Sequence, residues 1–106
     1  METYVKIGGQ EYTAKVRLRR ADPDHGCRRT ATVRMVGTVE QVKALFADGK
    51  PWQTVERDEA GEEWKSVDQS EYEKLLVVKD HLDGTVSAVL CAVTAEEILD
   101  VLLGGL

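Results

Sequence analysis

The sequence predicts an α+β fold, a predominantly antiparallel β-sheet with two short amphipathic helices, and three observations lead there. Residues Glu11 to Arg20 alternate almost without a fault, with Tyr12, Ala14, Val16 and Leu18 on one side and Thr13, Lys15, Arg17 and Arg19 on the other; this is the period of a half-buried strand. Gly8-Gly9 and Asp83-Gly84 are hairpin signals, and connections that short join antiparallel strands, not parallel ones. Thr38-Val39-Glu40-Gln41 and Thr94-Ala95-Glu96-Glu97 each have the form of a capping box ahead of apolar residues at helical spacing.

Taken in order, Tyr4 to Ile7 reads as a short strand. Gly8-Gly9 follows, because glycine accepts the positive backbone angles of a tight turn. The long strand Glu11 to Arg20 comes next. Asp22-Pro23-Asp24-His25-Gly26 is a turn-rich connection, with proline presetting one angle and aspartates able to hold local amides. Thr30 to Val36 alternates again, with Ala31, Val33 and Met35 opposed to Thr30, Thr32 and Arg34.

A helix begins at Thr38. Val39, Val42, Leu45 and Phe46 form its apolar stripe, and Asp48-Gly49 followed by Pro51 ends it. Trp52 to Asp58 returns to extended structure, Glu59-Ala60-Gly61-Glu62 reads as a turn, and Glu63 to Val67 as a weaker strand. Leu75 to Asp80 and Thr85 to Val93 are the arms of the hairpin at Asp83-Gly84, which requires two residues tolerant of left-handed angles. Val86 to Val93 is apolar on both sides, the pattern of a strand covered on two faces. Ile98, Leu99, Leu102 and Leu103 predict a last helix that stops at Gly104-Gly105.

The chain has 106 residues, which predicts one domain over 1–106 able to bury about 60 to 70% of its unfolded surface. With 42% hydrophobic and 31% charged residues it has a globular composition. No apolar stretch approaches bilayer length, and Met1 to Gln10 lacks the basic start and apolar core of a signal peptide. The expectation is a cytoplasmic protein without membrane contact. Cys27 and Cys91 are then free thiols, Cys91 inside an apolar run and Cys27 in a polar turn.

The net charge of −5 conceals a strong segregation. Between Lys15 and Arg34, seven cations face only Asp22 and Asp24, a net of +5, so the remainder carries −10. Much of that remainder lies between Glu56 and Glu73.

Few residues invite chemistry. Asp22, Asp24, His25 and Cys27, with His81 and Cys91, hold the atoms of a zinc site, but the spacing does not bring ligands in the usual close pairs. His25 beside Cys27 lacks a readable orienting group or oxyanion hole. The carboxylates from Glu56 to Glu73 lack the glycine-centred spacing of a calcium loop. Trp52 and Trp64 read as packing residues. These patterns predict no cofactor, no metal and no enzymatic activity.

The basic stripe is the candidate site. Lys15, Arg17 and Arg19 span about 13 Å along a strand, Arg34 joins them across a hairpin, and Arg28 and Arg29 extend the set. One use is protein docking, including contact with the acidic Glu56 to Glu73 segment of another copy in a head-to-tail homo-oligomer. The alternative is a small nucleic-acid-binding module, against which stand the acidic total and the lack of a reading helix or phosphate loop.

The segments YVKIGGQEY (Tyr4 to Tyr12), RRTATVRM (Arg28 to Met35), VKALFADGKPW (Val42 to Trp52) and HLDGTV (His81 to Val86), followed by a terminal helix, are similar to small uncharacterised proteins encoded in phage and prophage tail modules of Gram-positive bacteria. The resemblance implies a non-enzymatic virion or tail-assembly component whose partners are itself or other phage structural proteins. It implies a virion location for a phage-derived chain. It carries over no functional residues, and the Asp22 to Cys27 turn departs from it.

Overall fold

The structure is a computed structural model that describes residues 2–23, 28–47 and 49–92. Among these residues seven strands and one helix run in the order β1 (Glu2–Ile7), β2 (Gln10–Asp22), β3 (Arg28–Val36), α1 (Val39–Phe46), β4 (Trp52–Arg57), β5 (Glu63–Asp68), β6 (Lys74–Asp80) and β7 (Thr85–Cys91). Every pairing is antiparallel, and the sheet order is β5-β4-β1-β2-β3-β7-β6. This is an α+β arrangement dominated by antiparallel sheet, with one helix among the described residues. The second expected helix, from Thr94, lies outside them.

The alternation in β2 has the consequence expected of it. Ala14 is buried and Tyr12 and Val16 half-buried, while Thr13, Lys15 and Arg17 are exposed. The strand is longer than its pattern because a bulge between Arg19 and Asp22 carries pairing on to Arg28. Asp22 is therefore a buried strand residue and not the first residue of a turn; its carboxylate accepts from Thr30 Oγ1 at 2.9 Å and from Arg19 Nη1 at 3.3 Å. A buried carboxylate requires such donors. Asp24 to Cys27 lie outside the described residues.

β2 changes partner along its length. Gln10 to Thr13 pair with β1, whereas Ala14 onward pairs with β3 on the other edge. β1 likewise reaches back to Glu2 because its first residues pair with β4. The sheet thus consists of two halves joined through one strand. Val5, Ile7, Ala14, Val33, Met35, Val86, Ala88 and Leu90 of the sheet, Val42 and Phe46 of α1, and Trp52 and Tyr72 form the core. Phe46 meets the Trp52 ring edge-on at 5.7 Å, and Trp52 Nε1 donates to the Tyr72 carbonyl at 3.0 Å.

Local signals also hold at the ends of elements. Gly8 and Gly9 both take positive φ, 60° and 78°, as a primed turn requires. The Thr38 capping box is complete, with Gln41 N donating to Thr38 Oγ1 and Thr38 N to Gln41 Oε1. Residues Val86 to Cys91 are buried on both faces, with β3 and β6 on either side.

The β6–β7 hairpin forms, but its turn is not the two-residue one expected. Its positive angles fall on Leu82 (φ 61°) and Gly84 (φ 87°), within a four-residue loop closed by His81 N donating to Thr85 O. Asp83 serves instead as an acceptor for the Thr85 amide and hydroxyl. That side-chain bond selects a longer loop over a tight Asp-Gly turn.

Candidate interaction surface

Strand register decides which cations share a face, because directly opposed residues in an antiparallel pair project to the same side. Lys15 stands opposite Arg34, Arg34 opposite Ser87, and Ser87 opposite Lys79. One step along lie Arg17, Thr32, Val89 and Val77; the next row holds Arg19, Thr30, Cys91 and Lys74. The stripe on β2 is thus one margin of a four-strand face bearing six cations. Lys74 and Lys79 were not legible as members, since the bulge between Leu75 and Val77 resets the parity of β6.

Arg29 goes elsewhere. Arg29 falls on the side of Ala31 and Val33, pairs with the Glu71 carboxylate, and lies 5.8 Å from the Tyr72 ring. It is not part of this face, and the alternation of β3 already contained that signal. Arg28 pairs through its backbone with Asp22.

The cations of the face are not equally available. Arg34 donates to Asp83 at 2.9 Å and to Thr85 at 3.0 Å, and Arg19 is held by Asp22. Asp83 has its pKa lowered, first by the Thr85 hydroxyl and amide and then by Arg34. Lys15 and Arg17 are exposed and have no acidic partner among the described residues. Lys74 and Lys79 are exposed as well.

Acids of the 56–73 segment are partly engaged within the molecule. Glu63 pairs with Lys6 at 3.6 Å, Glu71 with Arg29, and Asp68 accepts from Ser70. Asp58 caps the turn that follows β4 through the amides of Ala60 and Glu62. In the β1–β4 half, on the side that strand register shares with Lys15 and Arg17, Arg57 grips Glu11 with two bonds of 2.8 and 2.9 Å while lying over the Tyr4 ring. That guanidinium lowers the Glu11 pKa, chiefly by hydrogen bonding.

Cavities accompany the sheet among the described residues. A cleft of about 270 Å³ between its two halves is lined by Val16, Leu18, Thr54, Glu56, Lys65 and Val67, among others. Leu18 and Val67 are 50% and 38% exposed there. A second cavity of about 440 Å³ flanks the Gly8-Gly9 turn. The third, about 670 Å³, lies where β1 and β2 diverge and is bordered by Lys15, Arg34, Val36 and Thr85.

His81 Nε2 lies 2.7 Å from Ser87 Oγ, a base beside a hydroxyl that the sequence did not reveal. Ser87 is 6% exposed. Among the described residues no three His, Cys, Asp or Glu side chains converge as a metal site, and Cys91 is fully buried. Of the sequence-derived ligand set, Asp24, His25 and Cys27 lie outside those residues. No described helix is long and apolar enough to cross a membrane. No protein-family model, curated protein or solved structure matches the chain.

Proposed function

We propose that this chain is a non-enzymatic structural or protein-interaction component that docks an acidic protein surface against the cationic face of β2, β3, β7 and β6. The observation that carries the reading is the exposure of Lys15 and Arg17 side by side on β2 with no acid of their own to neutralise them among the described residues. Exposed like charges at adjacent positions on one face repel one another, and an acidic partner relieves that repulsion. The placement in a phage or prophage tail assembly rests on the sequence resemblance alone.

Titration with a fluorescent oligoglutamate and with a single-stranded oligonucleotide of equal charge tests the reading. Association with the peptide that weakens with salt and is lost in Lys15→Glu/Arg17→Glu supports it. Binding of the oligonucleotide alone, with a log–log salt slope of about −1.4 for two phosphate contacts, overturns it in favour of a nucleic-acid module. A parent protein that binds neither acidic probe nor itself in low salt overturns it altogether.

A further inference from the structure

The change of partner along β2 leaves a backbone edge open in the middle of the sheet. β1 accompanies β2 only as far as the Tyr4–Thr13 pair, and β3 occupies the opposite edge from Ala14 onward. From Lys15 to Leu18, therefore, one edge of β2 faces no strand among the described residues, and Lys15, Arg17 and Leu18 are exposed. On such an edge every second residue directs both N–H and C=O outward, which makes it a template for an added strand.

Among the described residues two further strands have one open edge each, β5 and β6 at the ends of the sheet. Their charges differ. β6 bears Lys74 and Lys79 on the side that continues the cationic face, so adding it beside Lys15 and Arg17 would place like charges together. β5 instead ends in Asp68, with Ser66 on the same side, while Val67 lies on the opposite side.

We infer that the open edge of β2 receives β5 of a second copy as an antiparallel strand, making a head-to-tail contact between subunits. The inference rests on the protein-docking reading above and names its partner. Side-chain parity agrees with it: Leu18 and Val67 both line the inner cleft of their own sheet, and Arg17 and Asp68 both lie on the outer side. With Leu18 opposite Val67 of the neighbour, Arg17 falls opposite that neighbour's Asp68. The two half-exposed apolar side chains cover each other in the same register that neutralises an unpaired cation. The donor and acceptor surfaces differ, so addition continues from copy to copy, to a closed ring or an open filament, rather than ending at a symmetric dimer.

Disulfide trapping in a Cys27→Ser background tests the register. Leu18→Cys and Val67→Cys proteins should form a cross-link on mixing and little when each is oxidised alone. Efficient cross-linking of Leu18→Cys with itself would overturn the head-to-tail geometry. A charge exchange supplies a second readout that does not depend on thiols. Arg17→Asp and Asp68→Arg should each weaken association by at least about fivefold, and combining them should restore it. A strict monomer at millimolar concentration in low salt, by light scattering after size exclusion, overturns the self-docking; if oligoglutamate still binds through Lys15 and Arg17, the docking reading stands without it.

Discussion

Leu82 holds a backbone angle that favours glycine or asparagine, and relieving it should stabilise the fold. Its φ is 61° at the tip of the β6–β7 hairpin, and its side chain is 90% exposed. Left-handed backbone costs an L residue with a Cβ about 1–2 kcal/mol, and asparagine recovers part of this through local hydrogen bonding. Almost no burial is forfeited on replacing Leu82, so Leu82→Asn should gain about 0.5–1 kcal/mol, a rise in Tm of about 2–8 °C for a domain of this size. Leu82→Gly relieves the same strain but gives the unfolded chain more freedom, by about 0.4–1 kcal/mol, so its gain is smaller. Leu82→Ala retains a Cβ and should change little, and Leu82→Ile should lose stability through its branched Cβ. Thermal and urea unfolding of the four variants give the order. A Leu82→Ala gain equal to that of Leu82→Asn would refute the backbone argument, because exposed apolar surface would then be the cause.

Three further outcomes follow from local geometry. Phe46 is 1% exposed and packs edge-on against Trp52, so Phe46→Ala should cost about 3–5 kcal/mol, read from the urea midpoint by tryptophan fluorescence. Thr38→Ala removes one half of the capping box and should cost about 0.5–2 kcal/mol; Thr38→Ser should restore most of it in the same assay. Asp83 has a pKa below its ordinary value of 3.8 because the Thr85 hydroxyl and amide, and then Arg34, favour the carboxylate. A depressed folded pKa contributes stability above the unfolded value that is lost as pH falls through the folded one. Asp83→Asn should therefore flatten the acid side of a Tm-against-pH curve, and an unchanged slope would show that Asp83 adds nothing.

Alternation put Lys15, Arg17 and Arg19 on one side of β2, and the pairing of Lys15 with Arg34 follows from joining two alternating strands. The same alternation separates Arg29 from Arg34, which stand at positions of opposite parity in β3. Lys74 and Lys79 could not be added in advance, since a bulge changes side-chain parity without altering composition. Nor could the partial neutralisation of the stripe be read: Arg34 finds Asp83 49 positions away, and Arg29 finds Glu71 across 42.

What the sequence by itself determined is the local part of this protein: the extended segments, the glycine turn at residues 8 and 9, the threonine cap of α1, and the two-sided burial of β7. Each depends on neighbours two to four positions apart, where side-chain direction and backbone angle are set by near contacts. Only the tertiary structure decided that β2 serves both halves of the sheet, that the cationic face extends to β6, and that an edge of β2 beyond Thr13 faces no strand among the described residues. Those features depend on which distant strands pair and in what register, and the free energy of that choice comes from burying many side chains together, so no single segment carries it.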